Sequence, residues 1–184
     1  KKFVNVVMIL NEQLCIIVCY HIVLNRSMVV DMFIQHLFEF VVHDAVQRMA
    51  EPVLQSGQAR GDARARLTAF ALAYATFMSQ PETRAMFRMV TNERRRFEAV
   101  ADLFLDGVGR TVGRAAIDVV AELAERGELR IDKPSWATGQ LLGMLDHPTL
   151  VLGLSAGDEA LPDRPLAKVC ADAVDTFLAR YGVP

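Results

Sequence analysis

The fold is decided by residues 62–90, DARARLTAFALAYATFMSQPETRAMFRMV. Apolar residues recur in this stretch at spacings of three and four, which is the period of an amphipathic helix. The apolar stripe consists of Leu67, Phe70, Ala71, Tyr74, Phe77 and Met78. Asp62 precedes the stripe, where a carboxylate can accept hydrogen bonds from the free N–H groups of a helix start. Pro81 starts a second helix, because its missing N–H falls in the first turn, where it would have had no partner.

The same helical period continues along the chain from about residue 33. It predicts helices over 33–54, 63–79, from Pro81 into the arginine cluster, 97–126, from Asp132 to Leu154, and from Asp163 onward. Gly127 and Gly182 are placed to end helices. Pro148 should kink its helix or shift its register. No strand pattern is found, so the sequence predicts an all-α protein.

Composition limits the class of protein. The chain has 184 residues, of which 52% are hydrophobic, enough for one sizeable core or two small helical modules. The formal net charge of −2 produces no overall field that would attract nucleic acid. Contact with DNA would therefore have to come from a local cationic patch.

Cysteine content and hydropathy indicate a cytoplasmic protein. The three cysteines, Cys15, Cys19 and Cys170, lack the spacing of a zinc site, and we interpret them as small apolar fillers. The run from Leu14 to Leu24 is the most apolar in the chain, but it is too short to span a bilayer. No stretch has the pattern of a secretion signal. We therefore expect no membrane association.

Catalytic chemistry is not expected from this sequence. No Ser, Cys or Lys nucleophile is visible beside a partnering histidine, and neither a glycine-rich phosphate loop nor an HExxH metal motif occurs. The sequence therefore predicts no catalytic residue, no metal, no cofactor and no enzymatic activity.

The composition changes near residue 40. Residues 1–40 contain no Gly, Pro or Ala, whereas Ala and Arg are abundant afterwards. This break predicts two domains, 1–40 and 41–184. It also suggests that the first forty residues do not share the origin of the remainder.

Several phrases from residue 40 onward carry a family resemblance, which is strongest over residues 41–184. They are FVVHDAVQRM, RLTAFALAYATFM, PETRAMFRMV, ERGELRID, QLLGML and AVDTFLARYG. Their order and spacing resemble the ligand-binding and dimerisation portion of TetR-like transcription regulators. The resemblance implies an all-α fold with an amino-terminal three-helix DNA-binding head of the helix-turn-helix type, followed by a helical effector-binding and dimerisation bundle.

The resemblance places the DNA-binding helices at about residues 3–12, 13–21 and 25–32, the last being the recognition helix. The DNA-contacting positions implied there are Asn25, Arg26, Ser27, Met28, Val30 and Met32. Where the family has Thr, Tyr and His, this chain has Met and Val, whose side chains cannot bind phosphate oxygens. Two interpretations stay open: the sequence of the head does not correspond to the rest of the chain, or the head is degenerate and the protein binds something else.

Aromatic and thioether side chains in the bundle are numerous enough to line an apolar pocket. The candidate ligand-binding residues are Phe70, Tyr74, Phe77, Met78, Phe87, Phe104, Trp136, Met144 and His147. Tyr74, Trp136 and His147 are the stronger candidates, because each has a polar group that could orient a ligand. Most of the set could equally be ordinary core.

The resemblance further implies that the last two helices pair with their copies about a twofold axis. The candidate interface residues are Gly139, Leu142, Gly143, Leu150, Ala173, Val174 and Phe177. Burial of these residues within one subunit is the alternative.

The resemblance as a whole predicts a homodimeric repressor that leaves a palindromic double-stranded DNA operator when an apolar or amphipathic small molecule binds. The alternative is a helical small-molecule carrier or an enzyme without DNA binding.

Overall fold

The structure is a computed structural model. It describes residues 51–95 and 107–183 continuously, and positions 32, 36, 39, 40, 43, 44, 47, 102 and 104 individually. The chain divides into two units, Lys1–Phe40 and Val41–Pro184, and both continuous segments lie in the second. The functional assignment of the two units remains a prediction.

The described part of the second unit is helical and contains no strand longer than an isolated bridge, which confirms the predicted all-α class. Its elements are α1 (residues 51–57), α2 (Ala63–Met78), α3 (Pro81–Glu93), a π-helical segment (Val108–Gly113), α4 (Arg114–Glu125), α5 (Pro134–Asp146), a second π-helical segment (His147–Val151), α6 (Leu152–Ala156), a 3₁₀ turn (Asp158–Ala160) and α7 (Leu166–Tyr181). No helix among the described residues has the length and apolarity needed to cross a membrane.

Helix boundaries follow from the predicted signals. Asp62 Oδ1 accepts a hydrogen bond from the Ala65 N–H at 2.8 Å, and Pro81 occupies the first turn of α3. At the end of α4, Gly127 takes φ +75°, a left-handed conformation that costs glycine little. The N–H of Glu128 then reaches back to the Leu123 carbonyl at 3.0 Å, which satisfies a carbonyl of the last turn.

Pro148 shifts the register of its helix, as predicted. Proline has no N–H to donate, so the α-helical ladder cannot continue through it. The backbone widens into the π-helical segment His147–Val151, where the N–H of Leu152 bonds to the His147 carbonyl five residues back. The α-helical register then resumes in α6.

The core forms around α2, which packs against α4, α5 and α7, while α3 packs against α2 and α6. Its largest fully buried side chains are Phe70, Phe177, Leu67, Leu123, Leu141, Leu145, Val53, Val112 and Val120. Cys170 is also buried in this core, which agrees with its interpretation as an apolar filler.

The end of the chain is held by a short antiparallel pairing that the helical pattern did not predict. Leu129 and Gly182 form a bridge, with hydrogen bonds from Arg130 N to Tyr181 O at 2.7 Å and from Val183 N to Glu128 O at 3.1 Å. The turn after α4 is thereby tied to the end of α7.

Candidate functional site

An open apolar groove of about 930 Å³ runs along the outer face of α2. We call it the α2–α3 groove. Its lining residues are Pro52, Ala69, Leu72, Ala73, Thr76, Phe77, Gln80, Glu82, Thr83 and Met86. They come from Pro52 of α1, the face of α2 opposite the core, and the first turns of α3. The volume lies in the range of small-molecule sites in proteins, and most of the lining is apolar, as in such sites.

The turn between α2 and α3 is fixed by side chains of α3. Thr83 Oγ1 donates to the Phe77 carbonyl at 2.8 Å, and Arg84 Nη1 donates to the Ser79 carbonyl at 2.7 Å. Both donors are buried, and both satisfy carbonyls at the end of α2 that have no partner within the helix. One end of the groove is therefore rigidly built.

Arg84 also forms an ion-pair cluster, which we call the Asp158 clamp. Arg84 is 3% exposed, and its guanidinium binds Asp158 through two hydrogen bonds of 2.9 Å each. Arg88, one turn later, donates to Asp158 Oδ1 at 3.2 Å and to the Gly153 carbonyl at 2.7 Å. Hydrogen bonds from Arg84 and Arg88 lower the pKa of Asp158 to about 2. The clamp joins α3 to the segment that connects α6 with α7.

Tyr74 and Asp146 form a polar pair within the bundle. Tyr74 is 4% exposed; its hydroxyl donates to Asp146 Oδ1 at 2.9 Å, and its ring stacks on Phe70 with centroids 6.0 Å apart. Burial raises the pKa of the Asp146 carboxyl, while the hydrogen bond from Tyr74 acts in the opposite direction. Burial and the nearby Asp146 carboxylate also raise the pKa of the Tyr74 phenol. A desolvated carboxylate is therefore held at the junction of α5 with its π-helical segment.

A third polar cluster joins α1, α2 and α4. Arg66 is 3% exposed and binds Glu122 through two hydrogen bonds of 2.8 Å each. The same guanidinium donates to the Gly57 carbonyl at 3.0 Å, while Arg66 Nε is buried without a partner. The hydrogen bond to Glu122 is the main reason that the pKa of Arg66 is raised. The end of α1 is therefore anchored to the bundle.

Exposed residues of α5, of the π-helical segment after it and of α7 form what we call the α5–α7 face. Trp136 and Val151 are 70% and 44% exposed, and Gly143 has open space where a Cβ would stand. A cavity of about 420 Å³ between the two helices is lined by Gln140, Gly143, Met144, Thr176, Phe177, Arg180 and Tyr181. The Tyr181 hydroxyl donates to Gln140 Oε1 at 2.6 Å and links the helices across it.

The predicted ligand-binding residues are dispersed. Phe70, Tyr74, Met78 and Phe104 are buried; Phe77, Phe87 and Met144 are half-buried; Trp136 and His147 are exposed. Phe77 lines the α2–α3 groove, Met144 lines the cavity at the α5–α7 face, and Phe87 packs edge-on against Phe104 with centroids 4.9 Å apart. The structure does not bring the nine residues together, and their role stays a prediction.

The predicted interface residues divide into two groups. Gly139 and Gly143 are exposed and Leu142 is half-buried, whereas Leu150, Ala173, Val174 and Phe177 lie in the core of the subunit. Of the predicted DNA-contacting positions, Asn25, Arg26, Ser27, Met28 and Val30 lie outside the described residues. Met32 is helical and 56% exposed.

Sequence analysis missed the residues that build the polar clusters: Arg66, Arg84, Asp146 and Asp158. A signal existed for Arg84 and Arg88, which are four apart and share one face of α3. The other partners are separated by 56 to 74 positions along the chain, so no local pattern could have joined them.

Comparisons with known proteins agree with this architecture. No curated protein sequence matches the chain. A crystal structure assigned to a TetR-family transcriptional regulator from Mesorhizobium loti MAFF303099 is similar to it with a TM-score of 0.69 and 16% identity, over 83% of this chain and 75% of that one. At that identity the likeness shows the fold alone. Residues 65–183 match the family described as "AefR-like transcriptional repressor, C-terminal domain". Because this match covers more than half of the residues, the chain belongs to the TetR family of transcriptional regulators.

Proposed function

We propose that this transcriptional regulator is a cytoplasmic homodimeric repressor that an apolar or amphipathic small molecule releases from a palindromic DNA operator. The observation that carries the ligand response is the α2–α3 groove, about 930 Å³ in volume and mostly apolar in lining. The palindromic operator and the DNA-binding head at residues 1–40 are proposed because the chain belongs to the TetR family.

The connections of the groove support a response to its occupant. Thr83 and Phe77 line the groove, and the hydrogen bond between them lies in the same turn as that from Arg84 to Ser79. Arg84 in turn holds Asp158, shortly before α7 begins. A ligand that prefers one arrangement of this turn would shift the position of α7 relative to α3. Release from DNA would follow from that shift.

Dimerisation is proposed through the α5–α7 face. Trp136 and Val151 are exposed apolar side chains, and Gly143 leaves open space on α5, so this face offers apolar surface and room for a second copy. A twofold pairing would present two equivalent heads to a palindromic site. Sedimentation equilibrium should show a dimer, which Gly143→Glu converts to monomer by burying a charge in the interface. Ala85→Glu, at an exposed position of α3, is the matched control and should remain dimeric.

The test of the proposed function begins with selection of genomic DNA fragments that the full chain retains. The selected operator is then labelled, and its complex with the protein is followed by fluorescence anisotropy during titration with decylammonium, decanol or decanoate. These probes share one apolar body and differ in the charge of the head group. Release by at least one of them, at a concentration that leaves the helical circular dichroism unchanged, supports the proposal. Failure to retain any specific fragment would favour a carrier without DNA binding.

A further inference from the structure

We propose that the α2–α3 groove selects a cationic amphipath, a small molecule with an apolar body and an amine or quaternary ammonium head. This inference rests on the proposed function, because the occupant would be the effector, and it names the chemical class of that occupant.

The body of the ligand is defined by the walls of the groove. Met86 is 7% exposed and Phe77 is half-buried, whereas Leu72, 43% exposed, stands at the open side. Ala69 and Ala73 are small, so α2 presents a flat surface along which an alkyl or aromatic body can lie. Burial of that body supplies most of the affinity, since it removes apolar surface of both partners from water.

The head group is defined by the polar end of the groove. Among the described residues that line the groove, Glu82 is the charged one, and the other polar residues, Thr76, Gln80 and Thr83, are neutral. The Thr83 hydroxyl already donates to the Phe77 carbonyl. The Glu82 carboxylate and the Phe77 ring both line the groove, so a cation bound in it can be attracted by the negative charge and by the face of an aromatic ring. A carboxylate or phosphate head would meet repulsion from Glu82.

The two helix ends at the groove add to this preference. α2 ends at Met78 without a basic residue in its last turn, so its negative end is not offset from within the helix. α3 begins with Glu82 in its first turn, which offsets the positive end of that helix. Arg84, which donates to the Ser79 carbonyl, has its charge paired with Asp158 in the clamp. The described charges at this end of the groove therefore favour a cation.

The inference is tested by isothermal titration calorimetry of the full chain at low salt with decylammonium, decanol and decanoate. We expect decylammonium to bind more tightly than decanoate. Glu82→Gln should weaken the binding of decylammonium by about two- to fivefold, the range for an exposed ion pair, and leave the affinity for decanol unchanged. Glu82→Lys should weaken the binding of decylammonium further and strengthen the binding of decanoate. Glu125→Gln, an exposed glutamate of α4 away from the groove, is the matched control and should change none of the three.

Binding in the groove is checked with Ala73→Phe, which fills the space along α2 and should weaken all three probes while circular dichroism stays that of the wild type. Decanoate binding as tightly as decylammonium, or decylammonium unaffected by both Glu82 substitutions, would overturn the inference. DNA release driven by decanoate alone would overturn the ligand class and leave the proposed function intact. Decylammonium binding that depends on Glu82 but never releases DNA would support the ligand class and refute the proposed regulation.

Discussion

Substitution of Tyr74 by Phe isolates one hydrogen bond of the bundle. The ring of Tyr74 is buried and stacked on Phe70, and Phe retains that packing. What is lost is the hydroxyl that donates to Asp146 at 2.9 Å. A hydrogen bond to a charged group contributes about 1.5–3 kcal/mol to the free energy of unfolding. For a chain of this size that loss corresponds to a fall in Tm of about 3–12 °C.

The cost of Tyr74→Phe to stability should depend on pH, because the substitution changes the pKa of Asp146. Because burial raises the pKa of Asp146, the folded state favours the protonated carboxyl. Stability from this group is complete below its ordinary pKa of about 3.9 and is lost as the pH rises through the folded value. Tyr74→Phe removes the hydrogen bond that favours the charged form, so it raises the pKa of Asp146 further. Its cost should therefore be smallest in acid and grow toward neutral pH.

The assay is chemical denaturation of the wild type, Tyr74→Phe, Asp146→Asn and the double variant between pH 4.5 and 8. In the Asp146→Asn background the Tyr74 substitution should cost less, about 0.5–1.5 kcal/mol, because the remaining bond is neutral. Ser155→Ala is the control: its exposed hydroxyl donates to the Val151 and Leu152 carbonyls at 2.8 and 3.3 Å, and we expect a change within about 0.5 kcal/mol. A Tyr74→Phe cost below about 0.5 kcal/mol, equal at all pH values, would refute the reasoning.

Three further predictions concern the clamp and the anchor of α1. Gly153→Ala should lower the free energy of unfolding by about 1–3 kcal/mol in urea titrations, since the added Cβ would stand 2.7 Å from Arg84 Cδ. Gly139→Ala is the control: its Cβ meets nothing within 4 Å, so it should stabilise the protein by up to about 1 kcal/mol. Equal effects of the two substitutions would contradict the packing at Gly153. Asp158→Asn should lower the free energy of unfolding at neutral pH. Because the pKa of Asp158 is lowered, the greater stability of the wild type should disappear as the pH falls from about 4 toward about 2. A stability difference that stays the same across that range, in acid titrations followed by circular dichroism, would argue against the clamp. Glu122→Gln should increase amide hydrogen exchange at the end of α1, because Arg66 loses the charge that orients it toward the Gly57 carbonyl. Glu125→Gln is the control and should leave that exchange unchanged. Unchanged exchange in Glu122→Gln as well would mean that Arg66 does not hold α1.

Local signals in the sequence predicted the helices, because each signal acts over a few residues. Asp62 caps α2, Gly127 ends α4, and Pro148 forces the π-helical segment through its missing N–H. These effects depend on backbone geometry and need no knowledge of the tertiary structure. The fold class could therefore be predicted before the structure was known.

The candidate site was harder to predict, because it depends on which faces the helices turn toward one another. The aromatic stripe of α2 was correctly predicted to be helical, yet most of it is buried against the bundle. The groove lies on the opposite face of α2, among Ala69, Ala73 and Thr76. Small residues on an exposed helix face give no apolar signal. The pairs Arg84–Asp158 and Tyr74–Asp146 depend on tertiary packing alone.

The most direct test of the account is hydroxyl-radical footprinting of the full chain on a selected genomic operator. A paired regulator should protect two symmetric half-sites whose centres lie one helical turn, ~34 Å, or a whole multiple of it apart. Gly143→Glu should lose both protections together. Uniform protection without sequence preference, or a single half-site bound equally well by Gly143→Glu, would contradict the proposal that the bundle pairs two DNA-binding heads.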